Sequence, residues 1–501
     1  MTPPLGPAAW RRLFASDGDL LRRAAAQMDE ATQLSSAGRP RAALAAGEQA
    51  DTMLRELMTT DRERTLPLFV TALRNRSIIL RQLGRLREAV LAGQEALELS
   101  RDARTLSNQA ELLLQVGASR EALELTTEAL GLVGPEPTAG RGQVLTHHML
   151  AQGACGQLAD ALVTSAEDVA VWRKVAAAEP FEHSRDLARA LGNRANRLRD
   201  AARYDEAVGV AAESVELRRR LLTGPGVALP VDLPLALTGY AVMLAKVGRH
   251  EEAVTVAEEA VTRHRELVVG NYAGEVSRLA SALNIYGNRL KQVGRRAQAR
   301  AALAESVRLY RDLAVDNRAG ELPWLAQAVS NYALVLDDPG EQLTAAEEAV
   351  DLRRELAAAD RPAHLSALAD SLANLAGRLV EADRTEQGIA AGLEAVALRR
   401  EFAERQPAAG LGDLGGTLLV VAAWLTGAGR LDEGLALGEE AVTVAREAFT
   451  LDGQAHRSLL AEALLDLSDR LELVPGRNKN RLRRIHALAA QSVALTEDAL
   501  E

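Results

Sequence analysis

The amino-acid sequence predicts an all-α protein built from about eleven helical hairpins in one continuous array. Three observations lead to this fold class. Segments such as LRQLGRLREAV and LAKVGRHEEAV recur along the chain. Apolar residues recur at helical spacing on both sides of each such segment. Only 3% of the 501 residues are aromatic, so the core must consist of small aliphatic side chains, which let helices approach closely.

The turn between the two helices of each hairpin carries the most regular signal. A glycine there predicts a left-handed residue after the end of the first helix. Most neighbouring turns are 46 residues apart, with exceptions of 33, 39 and 43. One hairpin cannot bury its own apolar stripe, whereas stacked neighbours share a continuous core. The turn positions are Gly38, Gly84, Gly117, Gly156, Ala202, Gly248, Gly294, Gly340, Asp383, Gly429 and Pro475.

This repeat also divides the chain. Residues 1–17 are expected to form an N-terminal extension, residues 18–501 one solenoid, and the last hairpin, 453–501, its cap. The polar, alanine-rich segment 191–208 is expected to be a first helix lying between its own partner and the preceding hairpin. Three stretches rich in proline and glycine are expected to connect hairpins, at 134–142, 223–234 and 405–416.

Composition and motifs exclude several classes of function. A formal net charge of −10 argues against a general nucleic-acid binder, which needs a basic face. No signal-peptide pattern occurs, and no run reaches the roughly 18 apolar residues that cross a bilayer, so a cytoplasmic protein without membrane contact is expected. No catalytic or nucleotide-binding motif occurs, so no enzyme, cofactor or metal site is expected. His147 and His148 point to different helix faces, and Cys155 is expected to be a small buried residue.

The repeated units resemble the tetratricopeptide repeat family, most closely the longer repeats of kinesin light chains. The resemblance rests on L-x-N-x-A in the first helix, G-R-x-x-E-A at the turn and A-E-E-A-V-x-L-R-R-E-L in the second helix, and it covers residues 18–501. It implies a right-handed superhelical solenoid whose concave face is lined by the first helices. Such faces typically bind peptides or protein segments.

One position of the first helix is occupied by asparagine in five of eleven units, although asparagine is disfavoured inside helices. We call this place, nine residues before each turn position, the register position. Its residues are Asp29, Asn75, Asn108, His147, Asn193, Gly239, Ile285, Asn331, Asn374, Val420 and Asp466. The resemblance implies that Asn75, Asn108, Asn193, Asn331 and Asn374 hold the backbone of a bound peptide. The alternative is a hydrogen bond to a neighbouring helix that orders the stack.

Arginines occur four residues after the register position, on the same helix face, at Arg197, Arg289, Arg378 and Arg470. Arginine binds carboxylates with two hydrogen bonds, so an acidic peptide or a C-terminal carboxylate is the expected ligand. The alternative is a solvated face with pairs inside one helix, such as Asp466–Arg470. A second set near the ends of the second helices is expected to complement the helix dipoles: Arg55, Arg101, Arg219, Arg265, Arg311, Arg354, Arg400 and Arg446.

Taken with the resemblance, these patterns predict a non-catalytic scaffold or adaptor that captures a peptide or protein segment in its concave groove. The alternative is a peptide-sensing solenoid, like bacterial peptide-responsive regulators, that controls a separate signalling enzyme or transcription factor.

Overall fold

A computed structural model describes residues 19–37, 39–222, 232–269, 274–476 and 478–497. Within these ranges the chain forms 22 α-helices and no strand, so the all-α fold class is confirmed. The helices are α1 (Asp19–Ser36), α2 (Pro40–Thr60), α3 (Arg62–Gln82), α4 (Leu86–Leu99), α5 (Ala103–Gln115), α6 (Ser119–Val133), α7 (Ala139–Ala154), α8 (Leu158–Ala178), α9 (Pro180–Asp200), α10 (Tyr204–Leu222), α11 (Asp232–Lys246), α12 (His250–Val269), α13 (Glu275–Gln292), α14 (Arg296–Asp316), α15 (Arg318–Ala333), α16 (Pro339–Ala359), α17 (Arg361–Glu381), α18 (Thr385–Arg405), α19 (Pro407–Gly427), α20 (Leu431–Leu451), α21 (Gly453–Leu473) and α22 (Lys479–Glu497).

The chain divides into two compact units, Met1–Arg249 and His250–Glu501. The first contains α1 to α11 and the second α12 to α22. Within each unit, consecutive helices pack as hairpins, and each hairpin packs on the next. The single solenoid over 18–501 stays a prediction, and the extension 1–17 and the turn at Gly38 lie outside the described residues.

The hairpin turns close as predicted at most positions. Gly84 has a φ of 72°, and the N–H of Arg85 donates to the carbonyl oxygen of Leu80 at 2.9 Å, which ends α3. Arg85 then pairs with Glu88 at 2.6 Å, so the G-R-x-x-E pattern ties the turn to the second helix. Ala202 and Asp383 adopt the same left-handed backbone with φ values of 56° and 57°.

Two turn positions are corrected by the structure. Gly340 lies inside the first turn of α16, after Asp338, whose side chain accepts a hydrogen bond from the N–H of Glu341. The connection between α15 and α16 spans residues 334–338, whereas that between α3 and α4 spans only 83–85, and none of the residues 334–338 has a positive φ. At the last hairpin the left-handed residue is Gly476, with a φ of 86°, and not Pro475.

The expected connector at 405–416 is wrong, because α19 already begins at Pro407. Its glycines allow close packing inside a helix instead of forming a loop. A Cβ at Gly410 would lie 2.8 Å from the Cα of Ala403, and one at Gly412 would lie 2.8 Å from the His456 ring. The stretch at 134–142 is a connector only as far as Thr138, and 223–231 lies outside the described residues.

Neighbouring hairpins are closest at their first helices. The backbones of α5 and α7, and of α19 and α21, approach each other directly. The second helices are bridged by long arginine–glutamate pairs, so the first helices lie on the narrower side within each unit. The expectation that Arg55, Arg265, Arg311, Arg354 and Arg400 complement helix dipoles is wrong, because these residues lie before the last turn of their helices and pair between helices instead. The pairs are Arg55–Glu95, Arg101–Glu128, Arg173–Glu213, Arg265–Glu305, Arg311–Glu348, Arg354–Glu394 and Arg400–Glu440.

Among the described helices, α19 is long and apolar enough to cross a membrane by length and composition, which the sequence analysis did not anticipate. Half of its most apolar stretch is buried inside the protein. It packs against α18, α20 and α21, and Leu418, Val421 and Ala422 are completely buried there. Packing within the second unit accounts for its apolar composition.

Candidate functional site

The register residues lie on the first helices, but their surroundings differ. Asn75, Asn108, Asn193 and Asn331 are partly buried, whereas Asn374 is exposed. Among the described residues, only Asn331 of these five forms a side-chain hydrogen bond within the protein. The register position therefore does not have one role in all units.

In the second unit, Asn331 belongs to a hydrogen-bonded network across three helices. Its Nδ2 donates to Oδ1 of Asn284 on α13 at 2.9 Å. Its Oδ1 accepts from Nε2 of Gln327 at 3.4 Å, and Gln327 Oε1 accepts from Nη2 of the buried Arg353 on α16 at 3.0 Å. We call these four residues the amide network. At this position the alternative of a bond that orders the stack describes the structure.

The same geometry occurs once more in the first unit. His147 is buried at the register position of α7, and its Nδ1 lies 2.8 Å from Oγ of Ser107 on α5. Ser107 and Asn284 both stand one residue before the register position of the preceding first helix. Burial lowers the pKa of His147, so the ring is held neutral. Its hydrogen bond to Ser107 joins α7 to α5.

Asn193 has no such partner because the corresponding residue on α7 is already engaged. That residue, Thr146, lies 3.0 and 3.1 Å from the two carboxyl oxygens of Asp168 on α8. On the other side, the register position of α11 is Gly239, where an added Cβ would meet no atom within 4 Å. Open space therefore remains beside Asn193, because Thr146 bonds Asp168 on one side and Gly239 has no side chain on the other.

This space is a cavity of about 230 Å³ between α9, α10 and α11 within the first unit, here called the α9–α11 cavity. Its apolar wall is formed by alanines, Leu235 and Met243. Its polar wall is rich in groups that bind anions and amides, contributed by Arg189, Asn193, Asn196, Arg218, Asp232 and Tyr240. The cavity can therefore hold a short polar segment together with one larger side chain.

Arg218 is held in the wall of the α9–α11 cavity by contacts to α9 and α10. Its Nη1 donates to the carbonyl oxygen of Ala188 at 2.6 Å and to the hydroxyl of Ser214. Burial lowers the pKa of this guanidinium, and Asp232 opposes the shift. An anion that binds next to such a partly buried arginine forms charge-assisted hydrogen bonds with it and stabilises its charged form.

A buried polar group lies behind the cavity. Asp168 is completely buried, and burial raises the pKa of its carboxyl group to about 7. The charge of Arg189 acts in the opposite direction, and Arg189 also donates to Oδ1 of Asp186 at 2.8 Å. Arg189 therefore belongs both to the cavity wall and to the surroundings of Asp168.

The helices around the cavity are also where the chain matches a known family. A tetratricopeptide repeat family model matches residues 187–222 and 236–270. These two stretches of the chain are tetratricopeptide repeats. The family resemblance found in the sequence is thereby confirmed, and repeats of this type generally form extended surfaces for protein interaction and not catalytic centres.

The chain is similar in fold to one of the solved structures over about three quarters of its length, and two others are less similar. The apo form of RapI is 11% identical, with a TM-score of 0.52, and covers 76% of this chain and 98% of its own. A Rap protein complexed with competence and sporulation factor is 15% identical, with a TM-score of 0.48 and coverages of 77% and 100%. BtubC from P. vanneervenii is 15% identical, with a TM-score of 0.38 and coverages of 51% and 94%. No curated protein sequence matches the chain.

The four arginines that follow the register position have separate surroundings. Arg470 is corrected as a ligand-binding residue, because it is buried and binds Asp466, the hydroxyl of Thr426 and the carbonyl oxygen of Ala422. Its bonds hold α19 to α21 within the protein. The remaining three are half-buried.

Arg197 packs against Gly153 of α7 and pairs with Asp200 at 3.2 Å. Arg378 donates to Gln342 at 3.0 Å and pairs with Glu381 at 2.6 Å. Arg289 has a buried Nε without a hydrogen-bond partner among the described residues, and burial lowers its pKa. Of the four, Arg289 has the most capacity left for an external anion.

The other residues considered for chemistry are placed as follows. Cys155 is exposed next to the turn at Gly156, so the expectation that it is buried is wrong. His148 contacts the hydroxyl of Thr126 at 3.0 Å. Ligand atoms of Glu179, Glu182 and His183 lie within 4.8 Å of one another, but the His183 ring already contacts Glu179 at 3.3 Å and Asp186 at 3.4 Å.

Sequence reasoning missed the residues that decide what each register residue does. Ser107, Thr146 and Asn284 precede the register position, and Arg218 lies on a second helix. The available signal was a polar residue immediately before a register residue, together with a glycine at the register position of the next unit. Both signals are visible in the printed sequence at Thr146 and Gly239.

Proposed function

We propose that this protein is a non-catalytic, cytoplasmic interaction protein that captures a peptide segment of a protein partner on the first helices of its first unit. The observation that carries the proposal is the α9–α11 cavity, into which Asn193 faces without a hydrogen-bond partner in the described part of the chain. A carboxamide both donates and accepts, so it can bond an extended peptide backbone as a strand edge does. Asn75 and Asn108, also without a partner in the described residues, continue the proposed surface.

The composition of the cavity favours a segment with an acidic residue. Arg189 and Arg218 stand on its polar wall, and Asp232 is the single carboxylate among its lining residues. Arginine provides planar, two-point bonding to a carboxylate, so an aspartate or glutamate side chain fits this wall. The aliphatic wall accommodates the neighbouring part of the segment. In the second unit, the exposed Asn374 and the half-buried Arg289 and Arg378 stay predicted contact residues.

The test is a peptide selection followed by a filling mutation. A displayed library of random linear peptides is selected on the wild-type protein, and the affinity of the enriched peptide is measured by fluorescence anisotropy. Gly239 lines the cavity, and an added Cβ there meets no protein atom within 4 Å, so the ring of Gly239→Phe is expected to occupy the cavity. We expect this variant to lose at least about tenfold in affinity, a cost of about 1.4 kcal/mol.

Gly209→Phe is the matched control. Gly209 lies on α10, the second helix of the hairpin that carries Asn193; it is exposed and also has no atom within 4 Å of an added Cβ. Both variants are checked for helicity and melting temperature by circular dichroism. Full binding by a folded Gly239→Phe protein, or the absence of any enriched acidic peptide, would contradict the proposal.

A further inference from the structure

The completely buried Asp168 is a carboxylate whose surroundings reach the α9–α11 cavity through Arg189. It lies on α8 and faces Thr146 on α7, whose hydroxyl is about 3 Å from both of its carboxyl oxygens. α8 also packs against α9, whose Asp186 and Arg189 both influence the pKa of Asp168. We call Thr146, Asp168, Asp186 and Arg189 the Asp168 cluster. Its members reach from the interior of the first unit to the cavity wall, because the side chain of Arg189 is 47% exposed.

Both protonation states of Asp168 have a hydrogen-bonded arrangement. The hydroxyl of Thr146 lies 3.1 Å from the carbonyl oxygen of Gly142 as well as about 3 Å from both oxygens of Asp168. When Asp168 is charged, Thr146 donates to it. When Asp168 is neutral, its carboxyl group donates to Thr146, and Thr146 donates to Gly142. A proton can therefore be gained or lost without leaving Asp168 or Thr146 unpaired.

The other charged groups near Asp168 are already paired or neutral. On α7, His147 is held neutral by burial, and Arg141 pairs with the exposed Glu167 of α8. On α9, His183 lies 3.4 Å from Asp186, which accepts from Arg189 at 2.8 Å. Arg189 is thus the cation in the cluster that both faces the cavity and favours the charged form of Asp168.

We propose that an anionic group of a peptide bound in the α9–α11 cavity pairs with Arg189 and that Asp168 takes up a proton in response. The inference rests on the proposed function and adds its regulation. An anion beside Arg189 offsets the positive charge that stabilises the Asp168 carboxylate. The neutral form then becomes favoured, so binding and protonation reinforce each other, as linkage requires. Peptide binding is therefore stronger in mildly acidic than in mildly alkaline solution.

The direction of the pH dependence of peptide binding follows from the protonation equilibrium of Asp168. In the free protein the pKa of Asp168 is raised by burial to about 7, and the bound anion raises it further. Well below both pKa values Asp168 is neutral with or without peptide, and affinity is greatest. Well above them it is charged in both states, and affinity is lowest. Affinity therefore falls as the pH rises through neutrality.

The experiment uses an acidic, histidine-free peptide enriched in the selection above. Its affinity is measured by titration calorimetry near pH 6 and pH 8, and proton uptake near pH 7 is obtained by comparing imidazole and Tris buffers, which differ in ionisation enthalpy. We expect about three- to tenfold tighter binding to the wild type at the lower pH, because each pKa unit of coupling corresponds to a factor of ten. Asp168→Asn should bind equally at both pH values and take up no proton.

Two outcomes overturn the inference. One is equal affinity of the wild type at both pH values. The other is a pH dependence that persists in Asp168→Asn, which would show that another group titrates. If Asp168→Asn does not fold, the same question is answered on the wild type by NMR titration of the labelled aspartate carboxyl carbons with and without peptide. An unchanged Asp168 titration curve then overturns the inference.

A ligand-free measurement separates this inference from the proposed function. If no acidic peptide is enriched, the proposed function fails, but the coupling of Arg189 to Asp168 can still be tested. The NMR titration is repeated on Arg189→Gln, with glutarate added to the wild type as a small dicarboxylate probe. We expect the Asp168 titration to move to higher pH in both samples. No movement in either sample contradicts the coupling itself.

Discussion

Asn193 and Asn331 occupy the same register position in different units and have opposite surroundings. Asn331 is bonded on both sides, to Asn284 and to Gln327, and so holds α13 and α15 together. Asn193 faces a cavity of about 230 Å³ and has no hydrogen-bond partner in the described chain. The difference arises from the neighbours, because Thr146 is engaged with Asp168 and the next register residue is Gly239. A residue type that recurs in a solenoid therefore indicates which helix face it lies on, whereas the role of each copy depends on the residues around it.

The same contrast applies to the arginines that follow these asparagines. Arg470 is bonded to Asp466, Thr426 and a carbonyl oxygen in the interior of the second unit, whereas Arg197 is half-buried and pairs with Asp200. In the second unit, the polar groups of Arg470 and Asn331 are used for packing. Those around the α9–α11 cavity are left available to a ligand.

The largest expected effect is on Arg470. Arg470→Ala removes the buried bonds that join α21 to α19 and leaves Asp466 without its ion-pair partner, so we expect a loss of about 3 kcal/mol in the free energy of unfolding. Arg197→Ala, at the equivalent position of the first unit, should lose about 1 kcal/mol or less. Urea denaturation of both variants measures the difference. Equal losses would remove the contrast between the two units.

The second effect concerns Asp168 and pH. The pKa of about 7 in the folded protein lies above the unfolded value, so the folded state binds more protons between these pH values. Stability from this group falls as the pH rises through that window and is constant above it. Asp168→Asn removes the buried charge and should stabilise the protein by about 2 kcal/mol near pH 8, with little change near pH 4. A melting temperature that changes equally at both pH values would contradict this assignment.

The third effect compares the two asparagines directly by stability. Asn331→Ala breaks two hydrogen bonds of the amide network and leaves Asn284 and Gln327 without their partner, so we expect a loss of about 1–2 kcal/mol. Asn193→Ala breaks no bond within the protein, and alanine favours the helix, so its effect should lie within about 0.5 kcal/mol of zero. Thermal unfolding of the two variants decides between the roles. A larger loss for Asn193→Ala would show that it also holds helices together.

The smallest effect tests the space at Gly239. An added Cβ there meets no atom, so Gly239→Ala should stabilise α11 by up to about 1 kcal/mol. At Gly287 on α13, an added Cβ would lie 2.5 Å from Cγ of Leu303 and 3.2 Å from the carbonyl oxygen of Ala299, so Gly287→Ala should destabilise the second unit. Calorimetric melting of both variants distinguishes open space from tight packing. A change in melting temperature of the same sign in both variants would contradict the open space at Gly239.

The sequence was sufficient for the hairpins, because helical periodicity and the G-R-x-x-E turn are local signals. The prediction of a connector at 405–416 was wrong because the glycines there allow α19 to pack closely against Ala403 and His456, which only the folded structure shows. The register position was found from its period alone. Whether Asn193 or Asn331 is free depends on residues from other helices, and no local pattern contains that information. The burial of Arg470 could not be predicted for the same reason.

The central claim is that Asn193, but not Asn331, is available to a peptide. The most direct measurement is the affinity of the library-selected peptide for Asn193→Ala and Asn331→Ala, each at a temperature where the variant is fully folded. The account predicts a loss of about tenfold for Asn193→Ala, which corresponds to one or two hydrogen bonds to the peptide backbone, and wild-type affinity for Asn331→Ala. Equal affinities in the two variants, or a loss confined to Asn331→Ala, would contradict it.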